Sequence, residues 1–251
     1  MKKYTPLLLI LIFLMSHVNL YAQKEKKNIL NAESIIDNYI KSIGGIKKLQ
    51  KVKSLQKKVS IELEGLSSLK INSEIIYQSP NLYYSYVNRE IADLKQVYIT
   101  KYNGKKCTIS QIYNDNETNT IIQEELLKEK IQDFYPFPIL AQKLNDTKFE
   151  LKEIIQDETQ KIYKILQNQA NIRDSIFLYF DSKEFLLRKK EKINPNNTTI
   201  IEYYDYTEYD DIIFPFKETK TIIINGKNAQ SSSSTINQIT INKEHAIDIF
   251  E

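Results

Sequence analysis

Lys58-Val59-Ser60-Ile61-Glu62-Leu63 alternates polar and apolar side chains at a period of two, the pattern of a β-strand with one wetted face. The same alternation returns over residues 69–78, 82–87 and 94–102, with Ser79-Pro80-Asn81 as a turn. Asn103-Gly104 marks a hairpin, since both residue types tolerate the positive φ angles of a tight primed turn, and residues 107–113 form its returning strand. Further strands are expected over residues 149–155, 161–167, 175–180, 185–192, 199–206, 214–224 and 229–241, separated by Asp157-Glu158, Asp181-Ser182 and Asn225-Gly226. Links this short join antiparallel neighbours, whereas parallel strands need long crossovers. The chain therefore reads as mainly antiparallel β, in the α+β class.

Helices interrupt this meander. Upstream of the first strand, Ile35, Ile36, Tyr39, Ile40 and Ile43 follow helical spacing, with Asn31 as a candidate cap and Gly44-Gly45 as the stop. Residues 46–52 add a further helical turn. In the middle of the chain, residues 121–134 carry Glu124, Glu125, Leu126, Leu127, Glu129 and Lys130, a composition that favours helix. Tyr135-Pro136-Phe137-Pro138 ends it, because each proline restricts itself and the residue before it. A second short helix is expected over residues 139–144.

The first residues read as an export signal: Lys2 and Lys3, an apolar run over residues 7–15, then Leu20-Tyr21-Ala22 as a peptidase site. The run is shorter than the ~20 apolar residues that a membrane-spanning helix needs. Residues 1–22 are expected to be removed, 23–31 to form a loose leader, and 32–251 to form one domain that does not span a membrane. The expected location is the periplasm.

Composition narrows the function classes. Removing residues 1–22 takes Lys2 and Lys3 from the 35 basic residues and none of the 32 acidic ones. The remaining charge is close to balance and spread along the chain, unlike a nucleic-acid binder with a basic face. Cys107 stands alone, so no intrachain disulfide can form. Five glycines scattered at 44, 45, 65, 104 and 226 make no phosphate-cradling loop. His245 is the single histidine after residue 22, and neither Gly-x-Ser-x-Gly nor His-Glu-x-x-His occurs. Asp205, Glu208, Asp210 and Asp211 form a dense acidic group, but their spacing lacks the glycine of a calcium loop. No catalytic residue, metal site or cofactor is expected. Tyrosines are abundant and sit at both strand parities, as in Tyr83-Tyr84-Ser85-Tyr86 and Tyr203-Tyr204-Asp205-Tyr206. An ordinary sheet core and a ligand groove both account for them.

The order of parts adds a family resemblance. Tyr39-Ile40-Lys41-Ser42-Ile43-Gly44-Gly45-Ile46-Lys47-Lys48-Leu49, a strand series, Asp205-Tyr206 leading to Phe214-Pro215, and Ile241-Asn242 before Phe250 together resemble the LolA-like outer-membrane lipoprotein-sorting proteins, especially divergent members from Bacteroidetes-type bacteria. The resemblance spans nearly all of residues 32–251. It implies an unclosed half-barrel of antiparallel strands with helices on its concave side. It also implies a monomeric periplasmic carrier that holds acyl chains of a lipid or acylated lipoprotein, without catalysis. No functional residue of the family maps onto a position here.

Parity then nominates groove residues: Val59, Ile61, Leu63, Ile71, Ile75, Tyr77, Tyr83, Val87, Val97 and Ile99 on one half, and Phe177, Tyr179, Ile201 and Tyr203 on the other. A one-residue error in register exchanges the faces. Phe134 and Phe137, beside the prolines, are candidates for a lid over the open side. The competing reading is a non-catalytic envelope module that has the same fold packed solid and binds a partner protein on its tyrosine-rich surface.

Overall fold

The computed structural model describes residues 30–66, 69–91, 94–114, 116–156, 158–168 and 174–251. The expected export signal and the leader up to residue 29 lie outside them. Residues 32–251 form one compact unit, built on a single sheet in the order β6-β5-β4-β3-β2-β1-β13-β12-β11-β10-β9-β8-β7.

β1 (Ser54–Leu63), β2 (Lys70–Gln78), β3 (Leu82–Ile91), β4 (Leu94–Tyr102), β5 (Cys107–Tyr113) and β6 (Asn116–Ile121) run as a meander towards one edge. β7 (Lys148–Gln156), β8 (Lys161–Asn168), β9 (Ser175–Asp181), β10 (Leu187–Ile193), β11 (Thr198–Tyr209), β12 (Ile212–Ile224) and β13 (Lys227–Ile241) start at the other edge and run inwards. The two meanders meet where β1 pairs antiparallel with β13, from Leu55 opposite Ile241 to Leu63 opposite Ser232. β6 and β7 do not pair, so the sheet is unclosed. Both edges are polar or charged, with every residue of β6 exposed and Lys148, Glu150, Lys152 and Glu153 on β7, which blunts edge-to-edge association.

The hairpins follow the local chemistry. Asp210-Asp211 joins β11 to β12 with φ of 53° and 59°, and Asn225-Gly226 joins β12 to β13 with φ of 52° and 72°. Both are two-residue turns with positive φ throughout, the primed geometry that suits the strand twist. Asn103-Gly104 departs from its expected tight turn. Asn103 instead opens a four-residue loop between Tyr102 and Cys107, its Oδ1 accepting from the amides of Lys105 and Lys106, so a side-chain cap replaces the primed turn.

Helix α1 (Ala32–Ser42) buries Ile35, Ile36 and Ile40, and Tyr39 meets Phe180 of β9 with ring centroids 5.3 Å apart. Its C-terminus is docked by Gly44, whose φ is 132° and whose missing Cβ would stand 3.1 Å from the Asp211 carbonyl oxygen. The Ile213 amide donates to the Ile43 carbonyl at 3.1 Å, and Lys48, in the short α2 (Ile46–Leu49), pairs with Asp211 at 3.1 Å. These contacts seat α1 on the start of β12.

Residues 122–147 carry the chain from one sheet edge to the other. They hold α3 (Glu124–Lys130), a 3-10 turn (Ile131–Phe134) and α4 (Pro138–Leu144). The helix expected over 121–134 is thus split, and Ile121 belongs to β6, an edge strand of Asn and Thr residues that has no apolar alternation to announce it. Lys143 of α4 bridges to Glu33, at 3.5 Å, and to Asp37 of α1. The C-terminal tail takes the opposite face: Gln78 exchanges hydrogen bonds with the His245 backbone, and the closing 3-10 turn (Ile247–Phe250), with Phe250 fully buried, packs against β3 and β4.

Candidate functional site

The crossover does not fill the concave face. Between it, α1 and the centre of the sheet lies a cavity of about 400 Å³, within the roughly 300–1,000 Å³ of small-molecule sites. Its floor comes from β1, β2, β13, β12 and β11 with Val59, Ile61, Ile75, Ile236, Phe216 and Ile201; its roof comes from Tyr39, Ile43 and residues 135–139. A second hollow of about 250 Å³ lies against Leu49, Leu140 and Leu144, and Tyr135, Pro136 and Phe137 form the wall common to both.

Among the groove candidates, the structure brings Val59, Ile61, Ile75, Tyr77, Ile201 and Tyr203 together on this cavity. Leu63, Ile71 and Val87 share the concave face, because Ile61 pairs with Ile71 and Ser73 pairs with both Val59 and Val87, but they lie outside the cavity. Tyr83 stands at its edge, with its ring 5.4 Å from Tyr77 and stacked on Phe134 at 4.3 Å.

Four candidates face the other way. Val87 opposes Tyr98, so Val97 and Ile99 point to the convex face. Val97 is nonetheless buried; the C-terminal turn packs on β3 and β4, which makes apolar residues useful on both faces there. Phe177 and Tyr179 are also convex, since Leu178 and Lys190 between and opposite them line the cavity. Lysines cover them: Lys189 lies 3.9 Å over the Tyr179 ring and Lys164 4.8 Å over that of Phe177, while the Tyr179 hydroxyl donates to Glu191 at 2.6 Å. Aliphatic lysine stems thus do the covering that the expected groove would have done.

The two lid candidates separate as well. Phe134 is buried in a cluster with Tyr102, Cys107 and Leu127 and stacked on Tyr83. Phe137 lines the cavity, with its ring 6.0 Å from Phe214.

Several site groups are polar and escaped the parity argument. Lys57, Asp133, Lys190 and Glu218 line the cavity with Tyr39, Tyr77, Tyr203 and Tyr206. Burial pushes all four phenols up, so their hydroxyls stay protonated donors; that of Tyr206 donates to the Leu187 carbonyl. Burial also pushes the Lys57 ammonium down, opposed by Glu218, and pushes the Glu218 carboxyl up, opposed by Lys57, Lys220 and Lys190. Lys190 pairs with Asp133 at 3.3 Å. Lys57 was legible in principle, because Lys57, Val59 and Ile61 share one parity. Tyr206 was not, since strict alternation separates it from Tyr203; Asp205, at φ 51°, lies between them.

Among the described residues no group of three His, Cys, Asp or Glu could hold a metal. His245 sits in the tail with its Nε2 buried and without a partner, and burial with Lys243 lowers its pKa. In the acidic group, Asp210-Asp211 is a hairpin turn. Cys107 is fully buried, which raises its thiol pKa.

No protein-family model matches the sequence, and no curated protein matches it significantly. Among solved structures, the LolA superfamily protein NE2245 from Nitrosomonas europaea is similar over 88% of this chain and 98% of its own, at 12% identity and a TM-score of 0.60. LprF from Mycobacterium bovis, at 8% identity over 86% of this chain and 95% of its own, and a porin-like protein from Bacteroides uniformis, at 11% over 76% and 96%, have TM-scores of 0.30 and 0.25, too low to carry an argument. The first similarity defines the class: an antiparallel, unclosed LolA-like sheet with helices on its concave face.

Proposed function

We propose that this chain is an exported, periplasmic carrier that holds a lipid acyl chain, free or on a lipoprotein, between its sheet and its helical crossover. The observation that carries the reading is the cavity, left open under residues 135–139 at the centre of the sheet and floored by aliphatic residues. Its volume accommodates roughly a dozen groups of the size of a water or methylene, at ~30 Å³ each. Burying each methylene contributes about 0.8 kcal/mol, so apolar lining alone supplies the driving force and no catalytic group is needed. The open space weighs against a solidly packed interaction module. Export is supported by Lys2-Lys3, the apolar run and Ala22, and among the described residues no helix is long and apolar enough to cross a membrane. Native mass spectrometry of the protein taken from its own envelope fraction should show a bound lipid, or uptake of an acylated peptide after delipidation. Neither adduct appearing would sink the reading.

A further inference from the structure

The cavity is more polar than an acyl chain requires. Lys57 enters it from the middle of β1, beside Val59 and opposite Ile75. Lys57 is half-buried on this wall, a position where an ammonium is costly unless paired or hydrogen-bonded, yet among the described residues no carboxylate oxygen lies within 4 Å of it. Its ammonium lies 5.6 Å from the centre of the Phe214 ring, a contact worth far less than an ion pair in a dry site. Lys190 is already held by Asp133. Glu218 is the remaining carboxylate on the wall, and it answers to three cations, Lys57, Lys220 and Lys190. The wall itself balances two lysines with two acids, and the exposed Lys220 outside it supplies the excess of positive charge near Glu218.

Several polar groups of the wall also have hydrogen-bonding capacity to spare. The Tyr77 and Tyr203 hydroxyls face the same region as Glu218, and no hydrogen bond among the described residues ties them, Lys57 and Glu218 to one another. Gln167, 3% exposed, also lines the cavity and has an amide nitrogen without a partner; Gln142, 6% exposed, has an unpartnered amide oxygen there. The Lys57 ammonium and the Gln167 amide thus stand as free donors on a wall that is otherwise mostly aliphatic and aromatic.

We propose that the cavity is selective for a single-chain amphiphile with an anionic head, a long-chain carboxylate, with Lys57 as the head-group contact and the apolar floor taking the chain. This rests on the carrier reading and specifies its cargo. The head accepts from the Lys57 ammonium and from nearby phenol hydroxyls, bonds that are charge-assisted and about twice as strong as neutral ones. Glu218 limits the affinity, because its charge opposes that of the ligand.

The test compares dodecanoate with dodecanol, which share a chain that the cavity can take and differ in the head, by calorimetric titration of the delipidated full chain. The wild type should prefer dodecanoate by about tenfold, the equivalent of 1.4 kcal/mol. Lys57→Met should abolish that preference, Lys57→Arg should retain part of it, and Glu218→Gln should increase it. Should Lys57→Met fail to fold, as judged by its thermal transition, Glu218→Gln carries the test alone, and a fall in preference there overturns the proposal. Equal binding of both ligands by the wild type overturns the anionic selectivity and leaves the carrier reading intact. Binding of neither overturns both.

Discussion

Phe134 and Phe137 are three residues apart on the same crossover, and the protein uses them in opposite ways. Over β3, β4 and β5, Phe134 is stacked on Tyr83 and buried with Tyr102, Cys107 and Leu127. Over β1, β13, β12 and β11, Phe137 touches the Phe214 ring and borders an open cavity. One concave face is thus plugged on its flank and hollow at its centre. The flank serves stability, since it takes apolar side chains out of water and keeps them in contact with one another. The centre gives up packing where the two meanders meet.

The largest expected effect tests the flank. Phe134→Ala removes a ring with aromatic neighbours on two sides and should cost about 3 to 5 kcal/mol, read as a lower urea unfolding midpoint at unchanged slope. A loss below about 1 kcal/mol would be typical of a surface site and would mean that the flank is not packed as described.

The next effect belongs to the centre and has the opposite sign. Lys57 and Glu218 are both disfavoured in their charged forms by burial. Replacing them together, Lys57→Met with Glu218→Leu, should leave stability unchanged or raise it by about 1 to 4 kcal/mol at neutral pH, more than Lys57→Met alone, which leaves the Glu218 carboxylate with only Lys220 and Lys190 to oppose its burial. The pH dependence follows from the directions of the two shifts. The raised carboxyl contributes stability that is complete below its ordinary value near 4.5 and is lost as pH rises through the higher folded value. The lowered ammonium contributes stability that is present above its ordinary value near 10.5 and is lost as pH falls through the lower folded value. The wild type should therefore be least stable relative to the double variant between these limits, and thermal melts across that range should show the gap widest near neutrality. A gap that does not vary with pH would show that the two side chains are solvated.

The same contrast explains what could be read from the residues. Period-two alternation located β4 and β5 to the residue, with Asn103-Gly104 marking the loop that separates them. It missed β6, where Asn116-Glu117-Thr118-Asn119-Thr120 needs no apolar face on an exposed edge. Faces were harder than strands. Val97, Ile99, Phe177 and Tyr179 are apolar or aromatic and were assigned to the groove, yet the tail and the lysine stems give the convex side its own use for such residues. The polar half of the cavity escaped because a lysine or glutamate in a strand is taken as solvent-facing, and only pairing across β1, β2, β11 and β12 shows that Lys57 and Glu218 share the apolar side.

The smallest expected effect concerns Phe137. Its ring has one aromatic partner, Phe214, and stands with Tyr135 and Pro136 in the wall between the two hollows. An aromatic pair contributes about 0.5 to 1.5 kcal/mol beyond the area it buries, so Phe137→Ala should cost only on the order of 1 to 2 kcal/mol, well short of a packed core position. The backbone beside it should hold, because Pro136 and Pro138 fix φ independently of the side chain between them. Removing the ring joins the hollow against α4 to the cavity and opens a second way out for a bound chain. The variant should therefore keep its fold and release lipid faster, which an unfolding midpoint and a lipid off-rate measured on the same preparation will show. A stability loss as large as that of Phe134→Ala with an unchanged off-rate would make Phe137 a second plug, and the contrast between flank and centre would not extend to this residue.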